Sequence, residues 1–140
     1  MEVTSRAAIP ALLGHVVPEV KEQADAAAGA DLYDFLKDVF TDGFLVPLLR
    51  SARTGGADDD VLTRCFRFVE ILLTSHDASI RSAAAFQVID PLFADERLLV
   101  ASFPEMEEET LAIAADTLDL DRVSPDARSI LRPYLSGPGH

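Results

Sequence analysis

Seven carboxylates in two short runs are the side chains best placed to do chemistry. Asp58, Asp59 and Asp60 stand together, and Glu105 precedes Glu107, Glu108 and Glu109. Such runs can hold a cation, favour the positive end of a helix dipole, or dock a basic partner. A calcium loop counted from its first aspartate needs glycine at the sixth position and glutamate at the twelfth. Counting from Asp58 reaches Thr63 and Val69, and counting from Asp119 reaches Ser124 and Ile130, so both fail. A carboxylate at a helix N-terminus contributes about 0.3–1 kcal/mol at low salt, and the effect fades within one turn. Four glutamates exceed what one helix end can use, and the excess repels itself. The seven are therefore candidate contacts for a basic protein, with helix capping and solvated charge as the alternative.

Other reactive side chains show no partner spacing. His15, His76 and His140 have no His or Cys four residues away, so a metal site would need ligands from distant segments. Cys65 lies in the most apolar stretch, where a free thiol behaves as a small hydrophobe rather than a nucleophile. Arg67 and Glu70, three residues apart, read as a surface ion pair worth a few tenths of a kcal/mol. Phosphate-binding glycine loops, Ser-His-Asp order and metalloprotease spacing are absent. No catalytic residue, metal or cofactor is expected, and a non-enzyme is the reading of choice.

Composition narrows the classes. The chain has 140 residues, 49% of them hydrophobic, enough for one domain over 1–140 with a buried core. Lys and Arg number 12 against 24 Asp and Glu, a net charge of −12. That charge repels nucleic-acid phosphates and anionic membrane surfaces. A single cysteine excludes an internal disulfide framework. Glu2 occupies what should be a basic flank, and Pro10, Gly14 and His15 interrupt the first apolar run, which argues against a cleaved signal. A cytoplasmic protein is expected.

The elements that must position these residues are helical throughout. Ile9, Leu12, Leu13, Val16 and Val17 recur at helical spacing, and Pro18 opens a second stretch to Ala28. Asp31 caps a helix with the stripe Leu32, Phe35, Leu36, Val39 and Phe40, which Thr41-Asp42-Gly43 is expected to break. Thr54-Gly55-Gly56-Ala57 is a loop, and the three aspartates after it open a helix to about Thr74. That helix is apolar except for the stripe Thr63, Arg67, Glu70 and Thr74, which marks it as central. Asp77 caps the next helix, Ala78 to Ile89, and Pro91 ends or kinks it. Asp95 opens a short one. Ser102 and Glu105 read as a capping box for a helix through Leu118, and Ser124-Pro125 starts the last, with 136–140 a frayed tail. The expected fold is all-α, about seven or eight helices packed as antiparallel pairs.

One stretch resembles a HEAT repeat, over about residues 61–94. It has a leucine-rich first helix, a turn with Asp77, then Ile80, Arg81 and an alanine-rich second helix through Ala84. The resemblance implies a HEAT/armadillo-like stack in which Asp77 caps the second helix and Arg81 reaches the turn. Ser124-Pro125-Asp126-Ala127-Arg128 repeats the turn 47 residues after Arg81, within the usual period of about 40–47. The wider stretch 31–120 resembles a family of short bacterial helical proteins. Its pattern here is Leu32-Tyr33-Asp34-Phe35-Leu36, then Phe66-Arg67-Phe68-Val69-Glu70-Ile71-Leu72-Leu73, then Asp77, Ile80-Arg81 and Val88-Ile89-Asp90. Members look like immunity proteins of toxin–immunity pairs, which implies that a basic toxin is neutralised by occlusion. The alternative is a HEAT-like adaptor or regulatory module without catalytic activity. Self-association is left open.

Overall fold

The computed structural model describes residues 5–51 and 58–136, and among these every regular element is helical. Ten α-helical segments follow in order: α1 (Ile9–Val16), α2 (Lys21–Ala26), α3 (Leu32–Asp34), α4 (Val46–Ser51), α5 (Asp58–Leu73), α6 (Ala78–Ala84), α7 (Asp90–Leu92), α8 (Glu96–Ser102), α9 (Glu108–Thr117) and α10 (Pro125–Ser136). No helix among the described residues is long and apolar enough to cross a membrane. The expected loop at 54–57 lies outside the described residues, as does the expected tail apart from Ser136, which ends α10 instead.

Helix starts follow the local chemistry. Asp31, Asp77 and Asp95 accept the amide protons of Tyr33, Ser79 and Arg97 at 3.0, 2.8 and 2.9 Å. Each answers one of the amides that a first turn leaves without a helical partner. Ser124 caps α10 by accepting from the Ala127 amide at 3.2 Å, with Pro125 in the first position. Arg81 donates to the Ser75 carbonyl at 2.6 Å and so closes the turn between α5 and α6.

The centre is α5. Leu62, Cys65, Phe66, Phe68, Val69, Ile71, Leu72 and Leu73 are buried, and α1, α4, α6 and α9 pack around them. Phe68 meets Phe40 edge to face at 5.0 Å between ring centres. The buried apolar residues from Ile9 to Leu131, Ala127 apart, form one continuous cluster.

Two helices carry wide turns that the sequence pattern did not announce. Thr41-Asp42-Gly43 does not break its helix, because α3 runs through a π-helical segment, Phe35–Leu45, directly into α4. At Pro91, expected to end or kink its helix, α6 runs through a second π segment, Ala85–Ile89, into α7, which ends at Leu92, one residue past the proline. In an α-helix the carbonyl of Gln87 would accept from the amide of residue 91, but proline has no N–H to give. The hydroxyl of Thr41, fully buried, donates to that carbonyl instead at 2.7 Å. The two wide segments pack against each other and share this bond. Lys37 pairs with Asp42 at 3.2 Å, five residues on, a spacing that the wide turn brings together and an α-helix does not. Gly43 is required there: a Cβ would stand 2.5 Å from the Asp38 carbonyl oxygen.

The capping box at Ser102 is also absent. Ser102 ends α8, is buried, and donates to the Leu99 carbonyl at 3.2 Å. Phe103, buried at 1% exposure, draws Phe103–Glu105 into a single tight 3₁₀ turn, and extended Met106 separates it from α9. The next helix therefore starts at Glu108, three residues after Glu105.

Candidate protein-binding surface

The polar stripe of α5 organises the surface. Thr63, Arg67 and Glu70 follow one line along α5, with Thr74 just past its end, and the first three reach the segment 105–110. The Thr63 hydroxyl lies 3.0 Å from a Glu105 carboxylate oxygen and 2.9 Å from the Asp59 carbonyl, with one proton for the two. Arg67 donates from Nε to Glu107 at 2.7 Å. Glu70 accepts from the amides of Glu109 and Thr110 at 2.9 and 2.8 Å, and from the Thr110 hydroxyl at 2.8 Å.

Glu70 is thus the N-terminal cap of α9, supplied from another helix. Its expected pairing with Arg67 does not form, because both side chains turn toward α9. The carboxylate meets the positive end of that helix, while Glu107, at the cap position, makes no side-chain cap bond of its own.

One turn back, Arg64 binds two carboxylates. Its two terminal nitrogens donate to the oxygens of Glu19 at 2.7 and 2.6 Å, a bidentate pair. Its Nε and one terminal nitrogen also reach Asp60 at 3.1 and 2.9 Å. The hydrogen bonds from Arg64 hold the Glu19 carboxyl below the usual range, and they push the guanidinium up in return.

The two acidic runs therefore meet across α5. Asp60, Glu105 and Glu107 are anchored by Arg64, Thr63 and Arg67, while Glu108 and Glu109 remain exposed in the first turn of α9. Asp59 is half-buried in the first turn of α5. Asp58 opens that helix, and its side chain lies outside the described set. Around the stripe, carboxylates from Glu19, Asp60, Glu70, Glu105, Glu107, Glu108 and Glu109 meet two guanidiniums, those of Arg64 and Arg67.

Cys65 is fully buried, and burial pushes its thiol up to about 12. His76 is exposed in the turn before α6, and His15 is exposed on α1. No group of three or more metal-ligating side chains occurs among the described residues. The carboxyl of Asp77 lies below its usual range because the Ser79 hydroxyl and amide bond to it.

Grooves open on the surface among the described residues. One of about 590 Å³ lies beside Phe93, Glu96, Leu99, Leu118 and Arg122, and one of about 470 Å³ between α8 and α10 beneath Ile130. A third, about 360 Å³, lies between α1 and α5 against Arg64 and Arg67.

Sequence reasoning found the stripe and both acidic runs but missed Glu19 and the capping role of Glu70. The only local sign of the Arg64 cluster was its place four residues after Asp60.

No family model, curated protein or solved structure matches this chain.

Proposed function

We propose that this chain is an acidic protein-binding domain that covers the functional face of a basic partner, in the concrete form of an immunity protein neutralising a basic toxin. One observation carries the reading: two acidic runs, beginning at Asp58 and at Glu105, come to one helix, where Arg64 holds Asp60, Thr63 holds Glu105 and Arg67 holds Glu107. Held carboxylates lose little further freedom on binding, so a rigid anionic face favours docking over a scatter of solvated charge. Its sign steers a cationic protein toward it and disfavours acidic ones. The net charge of −12 adds a long-range field of the same sign.

A HEAT-like stack and a cytoplasmic setting belong to the same proposal. The turn between α5 and α6 supports the first, with Asp77 on the Ser79 amide and Arg81 on the Ser75 carbonyl. The buried free thiol of Cys65 is compatible with the second.

Capture on the immobilised chain tests the reading. Proteins from the source lysate are bound at low salt, eluted with rising salt and identified by mass spectrometry. One basic protein leaving steeply with salt is the expected result. Several partners retained without regard to salt would overturn it in favour of an adaptor module.

A further inference from the structure

The groove of about 590 Å³ is lined from α7, α8 and the segment that joins α9 to α10. Its apolar lining is the buried Leu99 and the half-buried Phe93, Leu118 and Val123. Three carboxylates share that lining, and they come from separate places in the chain: Asp90 in α7, Glu96 in α8, and Asp119 before the turn Leu120–Arg122. One guanidinium joins them, that of Arg122, whose side chain is 86% exposed and stands 3.6 Å from Asp119. Glu96 is held in place. Its Oε2 accepts from the hydroxyl and the amide of Ser124 at 2.6 and 3.2 Å, and no other group among the described residues bonds to its carboxylate.

We propose that this groove binds a linear aliphatic polyamine. The site shares no residue with the acidic surface along α5 and does not depend on it. Charge selects a cation, because three carboxylates line the groove with one guanidinium. An anion would find Arg122 alone, already beside Asp119. The choice between a metal ion and an organic cation follows from how the carboxylates are placed. A metal ion needs several ligands converging on one point, and these carboxylates form no such group. Their charge is distributed around an apolar lining instead. A methylene chain with ammonium groups along it matches that arrangement: each ammonium offers three N–H donors to carboxylate oxygens, and the methylenes cover Phe93 and Leu118. Size agrees, since small-molecule sites commonly enclose about 300–1,000 Å³.

Equilibrium dialysis of the full chain against radiolabelled spermidine tests this. One saturable site is expected, and Mg²⁺ at equal ionic strength displaces spermidine poorly because it has no methylenes to bury. Asp90→Asn/Asp119→Asn weakens binding by on the order of tenfold, as two exposed ion contacts are lost. Asparagine at 119 keeps an acceptor for the Asp121 amide. Glu108→Gln/Glu109→Gln removes the same charge outside the groove and leaves binding unchanged. Ala94→Lys sets an ammonium of the chain's own at an exposed position of the lining and weakens binding as well, which covers the case in which the asparagines disturb the fold. Binding that does not saturate, or that both charge-removing pairs weaken equally, overturns the site in favour of the general field of a chain of charge −12. Ready displacement by Mg²⁺ overturns the role of the apolar lining. Tighter binding of trilysine than of spermidine, lost in Ala94→Lys, overturns the small-molecule ligand in favour of a lysine-bearing protein.

Discussion

Thr41 and Pro91 form a pair whose energetic coupling can be measured. The Thr41 hydroxyl is fully buried and donates at 2.7 Å to the Gln87 carbonyl, four residues before Pro91. Thr41→Val keeps the shape and removes the donor. The carbonyl then has neither the hydroxyl nor an amide at position 91. An unmet buried acceptor costs about 1–3 kcal/mol. Gln87 as a residue is only partly buried, so the lower part of that range applies, about 1–2 kcal/mol. For a chain of this size that is a fall in Tm of roughly 3–8 °C. Pro91→Ala restores an N–H that can serve the same carbonyl. In that background Thr41→Val costs less than about 0.5 kcal/mol, so the double-mutant cycle shows a coupling near 1 kcal/mol. Urea melts of the four proteins, with a common slope, give the numbers. An equal cost of Thr41→Val in both backgrounds refutes the reasoning, as does a cost below about 0.3 kcal/mol in the parent.

Four further outcomes follow from the same structure. Glu70→Ala, which uncaps α9 and leaves the Thr110 hydroxyl without its acceptor, costs about 1–3 kcal/mol in a urea melt. Gly43→Ala is destabilising by about 1–3 kcal/mol, because its Cβ meets a backbone oxygen that cannot move aside, where an ordinary helical site would gain from alanine. Cys65 reacts with a thiol reagent only as fast as the protein opens, since burial holds the thiol far above neutral pH; rapid labelling of the native protein would contradict its place in α5. Glu19 and Asp77 both have folded pKa values below their unfolded ones, so the unfolded chain binds more protons in acid. Their stabilisation is present above about pH 4–5 and is lost as pH falls below it, and Glu19→Gln and Asp77→Asn each flatten that acid limb in a series of melts.

What was legible in the sequence was local. The caps Asp31, Asp77, Asp95 and Ser124 each act on an amide two or three residues on, so residue type and spacing suffice to place them. The apolar circumference of α5 marked the centre, and Thr63, Arg67 and Glu70 marked the line that meets α9, while Arg64, off that line, also reaches the surface. What was not legible depends on partners far along the chain. The helix through Thr41-Asp42-Gly43 carries a hydroxyl that meets a carbonyl 46 residues away. The start of α9 is set by Glu70, 39 residues before Glu109, and not by Ser102, whose hydroxyl turns back into its own helix. The candidate surface divides in the same way. Its carboxylates stood out as runs, but Glu19 joins them through Arg64 across 45 residues, and no periodicity announces that contact.

The central claim is that a fixed anionic surface draws in a basic protein. Its most direct measurement is the association rate with the salt-released partner, followed across ionic strength for the parent chain and for Glu108→Lys/Glu109→Lys. These two glutamates are exposed at the start of α9, beside the anchored Glu107. The account predicts a parent rate that falls steeply as salt shortens the reach of the field, and a charge-reversed variant slower by on the order of tenfold at low salt. A parent rate indifferent to salt, matched by the variant, would contradict it.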